Sequence, residues 1–219
     1  MKYALSLLAL IAIFSFYGCP KSQPVDPPVD TYEEIKIGNQ IWMLNNLDID
    51  HYRNGDPIPK IRDTIKWSKL TTGAWCYFEN SNCLGKIYGK LYNWYAVNDP
   101  RGLAPKAWHV ASYEEWVELI QYLGGDSIAG GKLKESGTSH WKSPNGGATN
   151  ESGFSAVPGG MLDAYSGVFS FWGYIGCWWS ATESNATLAR IWQLSCNDAS
   201  IFGYGSSKVN GFSVRCVKD

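Results

Sequence analysis

Cysteine, histidine and carboxylate are the side chains here most able to do chemistry, and their spacing decides which chemistry is open. Setting Cys19 aside, the remaining cysteines are Cys76, Cys83, Cys177, Cys196 and Cys216. No Cys-x-x-Cys pair and no cysteine–histidine cluster occurs, so a metal site is not expected. Cys177 and Cys196 flank two strand-like runs, CWWSAT and ARIWQLSC, around a turn at 183–187. Symmetric pairing about that turn sets them opposite each other, and a cross-strand disulfide is expected. Cys76 and Cys83 are expected to close a short loop, as suits an oxidising compartment. Cys216 is then odd.

Acid–base chemistry has less to work with. His51, His109 and His140 fall in separate elements. His109 stands between Trp108 and Val110 just ahead of a helix, the setting of a structural histidine rather than a general base. Glu114 and Glu115 belong to that helix's first turn, where the macrodipole favours acids. Asp163 and Asp198 lie in loops with no carboxylate near them in sequence, so no acid–base pair is visible. No phosphate-cradling glycine loop and no serine elbow appears. No cofactor is expected.

Aromatic rings are the more abundant resource. They make up 15% of the chain, with 11 Trp, while charged residues are only 18% and the net charge is −1. That charge argues against nucleic acid or an anionic membrane as electrostatic partner. Tyr165, Phe169, Phe171, Trp172 and Tyr174 crowd one segment, and Asn197, Asp198, Phe202 and Tyr204 crowd another. Most rings fill cores. Period-two geometry turns half of those between Phe169 and Tyr174 inward, leaving the others free to stack on a ligand.

The elements that must position these groups read as a mixture. Residues 34–37 and 41–44 form a hairpin around Gly38-Asn39-Gln40. The spacing of Tyr88, Leu91 and Trp94 or Tyr95 predicts a helix over 88–97, ended by Asn98-Asp99-Pro100. A second helix starts at Ser112, whose hydroxyl caps it while Glu115 reaches back. Trp116, Leu119, Ile120 and Leu123 are its stripe, and Gly124-Gly125 stops it. Residues 124–153 read as a long polar connection. Short strands follow at 154–157, 168–174, 177–182, 188–195, 200–204 and 211–217, an antiparallel sheet. Trp75 to Phe78 is a further short strand.

The amino-terminal residues read as processing signals. Lys2 precedes an apolar run from Ala4 to Tyr17, too short for a membrane span. Gly18-Cys19 resembles a bacterial lipobox, although Phe16 and Tyr17 depart from it. The reading is a lipoprotein signal peptide over 1–18, lipidation at Cys19 and a Pro-rich tether over 19–31. A folded domain over 32–219 follows, placed in the cell envelope as an outer-membrane lipoprotein or at the cell surface.

Several motifs resemble one family. YGKLYNWYAVNDPRGL, WHVASYEEW, GGKLKESGTSHWKSPNGGATNESGFSAVPGG, WWSAT and GFSVRCVKD are similar, in order, to the Fibrobacter succinogenes major paralogous domain. The resemblance covers about 34–219. It implies an α+β, C-type-lectin-like fold of the sulfatase-modifying-factor subtype, shared with formylglycine-generating enzymes, with two helices packed on twisted antiparallel sheets with long loops. The family's Leu-Cys-Pro-x-Gly-Trp-His-Val-Pro is here Leu103-Ala104-Pro105-Lys106-Ala107-Trp108-His109-Val110-Ala111. The resemblance therefore implies that Ala104 orphans Cys216, leaving it a free buried thiol or a partner for Cys76. Formylglycine-generating catalysis needs two close cysteines ahead of the final Gly-Phe strand. Between Trp179 and Gly211 only Cys196 occurs, so an enzyme is not expected. Lectin calcium motifs are also incomplete: Ser143-Pro144-Asn145 lacks the acid and Cys196-Asn197-Asp198 lacks the tryptophan. In a lectin-like fold the two aromatic segments flank a ligand-binding sheet edge. Trp172, Tyr174, Asn197, Asp198 and Tyr204 are then the candidate binding residues, for a glycan or a surface protein. A structural or adhesive envelope protein without a small ligand is the alternative.

Overall fold

The computed structural model describes residues 32–219; the signal peptide, the Cys19 lipidation site and the tether lie outside the described residues. Strands β1 (Glu34–Ile37) and β2 (Gln40–Met43) form the expected hairpin, with Ile37 opposite Gln40. Gly38 takes the positive φ of 61° that a two-residue turn demands at its first central position. The chain then runs through α1 (Thr64–Trp67), β3 (Trp75–Cys76), α2 (Asn82–Tyr88), β4 (Leu91–Tyr92) and α3 (Trp94–Val97). Next come β5 (Trp108–Val110), α4 (Tyr113–Tyr122) and α5 (Asp126–Leu133). The remainder is β6 (Met161–Asp163), β7 (Val168–Ser170), β8 (Ile175–Glu183), β9 (Leu188–Ser195), β10 (Ile201–Ser207), β11 (Ser213–Val214) and β12 (Cys216–Lys218).

Two four-stranded sheets carry the architecture, in orders β1-β2-β12-β5 and β10-β9-β8-β11. All their pairings are antiparallel except β11 with β8. The fold is α+β. Alternation along β8 and β9 serves two cores at once. Trp178, Trp192 and Leu194 face α4 and meet Trp42, Trp116, Trp141 and Phe154. Trp179 and Ile191 face the other way, onto Tyr92, Trp94 and Phe212. Trp42 and Trp116 cross edge-to-face with centroids 4.9 Å apart, a geometry worth about 1 kcal/mol beyond area burial.

The capping box at α4 is present: Ser112 Oγ accepts from Glu115 N, and Glu115 Oε2 accepts from Ser112 N at 2.8 Å. The helix expected over 88–97 is not. Gly89 sits at φ 72°, ψ −167°, which ends α2 at Tyr88, and the chain continues as β4 before Asn93 caps α3. The connection over 124–153 contains α5, and the expected strand over 168–174 stops at Ser170 because Phe171 takes φ 64°. Residues 154–157 contribute only a bridge from Ala156 to Lys134.

The disulfides expected at Cys177–Cys196 and Cys76–Cys83 are corrected. All five cysteines of the described residues are free. Cys177 lies opposite Gln193: the ladder next to the turn, with Glu183 opposite Ala189, is already one residue off the expected register, and an irregularity between Trp179 and Glu183 shifts it further. Cys76 is buried in β3, whereas Cys83 is exposed on α2. Cys216 is a free buried thiol, not paired with Cys76.

Candidate functional site

The ring-bearing loop after β7 is shaped by backbone that only special residues tolerate. Phe171 and Gly173 both take positive φ, and the loop passes so close to Gly160 that a Cβ there would lie 2.6 Å from Ser170 O. Trp172 meets Tyr88 edge-to-face and lies tilted on Phe78. Its ring centre lies 6.4 Å from Phe78 and 6.2 Å from Tyr88, and Lys142 Nζ sits 5.5 Å from it. Lys142 N donates to Gly173 O at 2.8 Å, tying the loop over 134–146 to this turn. Beside it, His140 Nδ1 meets Glu135 at 2.8 Å and its ring packs on Tyr88. Trp172 remains 37% exposed, Phe171 53% and Tyr174 51%.

Tyr204 belongs to a different surface, the face of β10 that it shares with Phe202. Phe202 lies opposite Gln193 on β9, and Gln193 lies opposite Cys177 on β8. Tyr204 Oη donates to Gln193 Oε1, with Cys177 Sγ 3.9 Å from the same oxygen. Burial pushes both the Tyr204 phenol and the Cys177 thiol up to about 12, so both are neutral at physiological pH. Phe202 and Tyr204 are half exposed, an apolar frame around one amide.

Asn197 and Asp198 form the exposed β9–β10 turn, and their polar atoms serve the turn itself. Asp198 Oδ1 accepts from Ser200 N at 2.8 Å, and Asn197 Oδ1 accepts from Cys196 Sγ at 3.5 Å. Tyr174 is joined to this turn through its carbonyl, which accepts from Cys196 N at 2.8 Å. The five sequence-selected residues thus fall into three groups: Trp172 on Phe78 and Tyr88, Tyr174 with Asn197 and Asp198, and Tyr204 with Gln193.

Lys134 holds the second group in place, and sequence reasoning missed it. The side chain is wholly buried, and its Nζ donates to Gly146 O at 2.9 Å, Ser195 O at 2.8 Å and Asp198 O at 2.7 Å. Burial lowers its pKa, with Asp198 acting against that. A lysine at the C-cap of a glycine-containing helix gives no signal of such a role. Gln193 was missed too, since its importance depends on a register that the sequence does not show.

The groups with chemical potential are committed elsewhere. His109 presents Nδ1 to Asp219 at 2.7 Å and Nε2 to Glu115 at 2.6 Å, so neither ring nitrogen is free for a substrate. Burial pushes the Cys76, Cys177 and Cys216 thiols far above the range in which a thiolate forms at neutral pH. Among the described residues, no three His, Cys, Asp or Glu side chains are grouped to hold a metal ion.

No match was found among curated proteins or among solved structures. The family model of the Fibrobacter succinogenes major domain matches residues 35–218, across both four-stranded sheets and every loop described above. The chain therefore belongs to the Fibrobacter succinogenes major domain family.

Proposed function

We propose that the chain is a cell-envelope lipoprotein, anchored at Cys19, whose folded domain is a non-catalytic binding module for a glycan or a surface protein. The observation that carries this reading is the set of exposed rings held on rigid supports. Phe171, Trp172 and Tyr174 follow β7, and Phe202 and Tyr204 share one face of β10. Rings fixed by packing lose little entropy on stacking, and Gln193, Asn197 and Lys142 supply directional polar groups beside them. Buried neutral thiols and fully engaged His109 favour binding over formylglycine-type oxidation. The C-type-lectin-like subtype is part of the same reading, resting on family resemblance.

A structural envelope role without a small ligand is the second reading. It is favoured by Trp42, Trp67, Trp116, Trp141, Trp178 and Trp179, which are fully buried and so account for much of the aromatic surplus.

A glycan and cell-wall polysaccharide array, run with and without calcium, separates the two. Binding that falls at least about tenfold in Trp172→Ala or Tyr204→Ala, with melting behaviour retained, is the expected result; about 1.4 kcal/mol is the loss of one stacked ring. Loss on chelation would add a metal to the site. Absence of binding to every glycan and to envelope proteins would leave the structural role.

A further inference from the structure

Two stretches of the chain place a hydroxyl two residues after an asparagine: Asn150-Glu151-Ser152 and Asn185-Ala186-Thr187. In an exported protein that spacing is the acceptor pattern for N-linked sugar. It is short enough to arise by chance, so the surroundings of each amide decide what it can do.

At Asn185 the amide is open. Residues 184–187 turn the chain from β8 into β9, and 183–187 are all exposed. Asn185 Oδ1 accepts from Thr187 N at 3.0 Å, Thr187 Oγ1 at 3.2 Å and Leu188 N at 3.0 Å. Its Nδ2 makes no hydrogen bond among the described residues, so a group added there displaces nothing. The turn beneath holds without that nitrogen. Ser184 N and Asn185 N donate to Leu188 O at 2.9 Å and 3.0 Å, and Lys208 Nζ donates to Ala186 O at 2.9 Å and to Glu183 Oε1. Glu183, two residues ahead of Asn185, keeps its carboxylate half exposed and adds an anionic contact beside the acceptor.

At Asn150 the same groups are spent. Asn150 Nδ2 donates to Ser155 Oγ at 2.8 Å, and its Oδ1 accepts from Ser155 N at 2.9 Å. Ser152 Oγ donates to Lys132 O at 2.8 Å rather than to the asparagine. Ala148 stands where the other stretch has Glu183. A sugar on this nitrogen would have to share it with Ser155.

We propose that Asn185, and not Asn150, carries an N-linked oligosaccharide, transferred from a polyprenyl diphosphate carrier by an oligosaccharyl transferase of the envelope. Donors on Oδ1 favour the imidate form of the amide, in which Nδ2 has given up a proton. Nδ2 forms a bond to the anomeric carbon of the sugar. The bond from that carbon to the diphosphate oxygen breaks, and its electron pair leaves with the polyprenyl diphosphate. The proton passes to a carboxylate of the transferase and on to water. Strand β9 spans roughly 25 Å between this turn and that of Asn197 and Asp198, so the sugar stands at the far end of the strand from those two residues.

The inference rests on the envelope location, so the full chain is first fractionated from its own cells. A chain absent from the envelope removes the location and the inference together. In the envelope fraction, peptide mass spectrometry should find the Asn185 peptide heavier by whole sugar residues and the Asn150 peptide unmodified. Thr187→Val should abolish the added mass and Thr187→Ser should keep it, both with circular dichroism unchanged, because only serine retains the hydroxyl. An unmodified Asn185 in chain taken from the envelope overturns the inference and leaves the location standing. So does a sugar carried by Asn150 instead, or an added mass on Asn185 indifferent to Thr187→Val.

Discussion

Arg215 is 1% exposed and has no carboxylate partner among its hydrogen bonds. Its Nε donates to Asn46 Oδ1 at 2.8 Å, and its other nitrogens reach Met43 O at 2.8 Å, Phe154 O at 3.1 Å and Ser155 O at 3.4 Å. The guanidinium also lies over the Phe154 ring at 4.3 Å. Burial pushes its pKa down to about 9, still charged at neutral pH. Arg215→Met keeps much of the volume but strands buried acceptors, so it should cost about 3 kcal/mol. Urea unfolding measures this directly, and a loss below about 1 kcal/mol would mean that water replaces the guanidinium. Lys134 works by the same principle, a buried cation answered by carbonyl dipoles. Neither was legible from sequence, where lysine and arginine default to solvent. Trp172, Tyr174 and Tyr204 are 37%, 51% and 40% exposed, while the equally aromatic Trp178 and Trp179 are fully buried, a difference that composition does not show.

At the scale of elements, α4 was readable because its signal is local and chemical. Ser112 and Glu115 need only a three-residue spacing to satisfy each other's backbone groups. The same capping box carries a pH response, since Glu115 also holds His109. Burial lowers the His109 pKa, but bonds to Asp219 and Glu115 outweigh it and hold the imidazole above its ordinary value. A raised folded-state pKa means stabilisation fully present below the unfolded value near 6.5 and lost as pH rises through the folded one. Burial likewise opposes ionisation of Glu115, but Ser112 and His109 hold it below its ordinary value, so its share is lost on acidification. His109→Ala should therefore lower the melting temperature more at pH 5.5 than at pH 8.5, by an amount worth under about 1 kcal/mol because His109 is 40% exposed. Equal losses at both pH values would show that only packing was removed.

The misread helix over 88–97 failed for a different reason. Aromatic residues at near-helical spacing also fit a strand, a turn and a short helix that all face one core, and tertiary packing chose the latter. Gly89 makes that choice possible: a Cβ there would lie 2.9 Å from Asn46 Cβ, and its backbone conformation suits glycine alone. Asn46 in turn donates to Tyr88 O and accepts from both Trp178 and Arg215, so the break in α2 abuts the centre of the molecule. Helix α5 was hidden by Gly130 and Gly131, which lower helix propensity. They are there because Ser200 O and Gly147 O pass within 2.3 Å and 2.2 Å of where their Cβ atoms would be.

The whole molecule depends on packing rather than on covalent staples. The register of β8 on β9 placed Cys177 out of reach of the partner that turn symmetry suggested, and a bulge cannot be read from residue types. Cys83 is the one exposed thiol of the described residues. Besides Cys19, a single thiol should react with a disulfide reagent in the native protein, and all five should react in denaturant. Added reductant should leave the melting temperature unchanged. A drop on reduction would establish a disulfide that the free thiols of this structure do not contain.

Both large sheets wait on the same short stretch of chain. Ser213 and Val214 pair with Trp178 and Trp179, while Val217 pairs with Trp42 and, on its other side, with His109. Arg215, between those two strands, bonds to Met43 across 172 positions. Closure over such separations is slow, because loop entropy must be lost before the contacts form. Until residues 211–218 arrive, the hairpin at 34–43 and strand β5 have no strand between them. Neither four-stranded sheet can therefore be completed until the chain's last strands have been made.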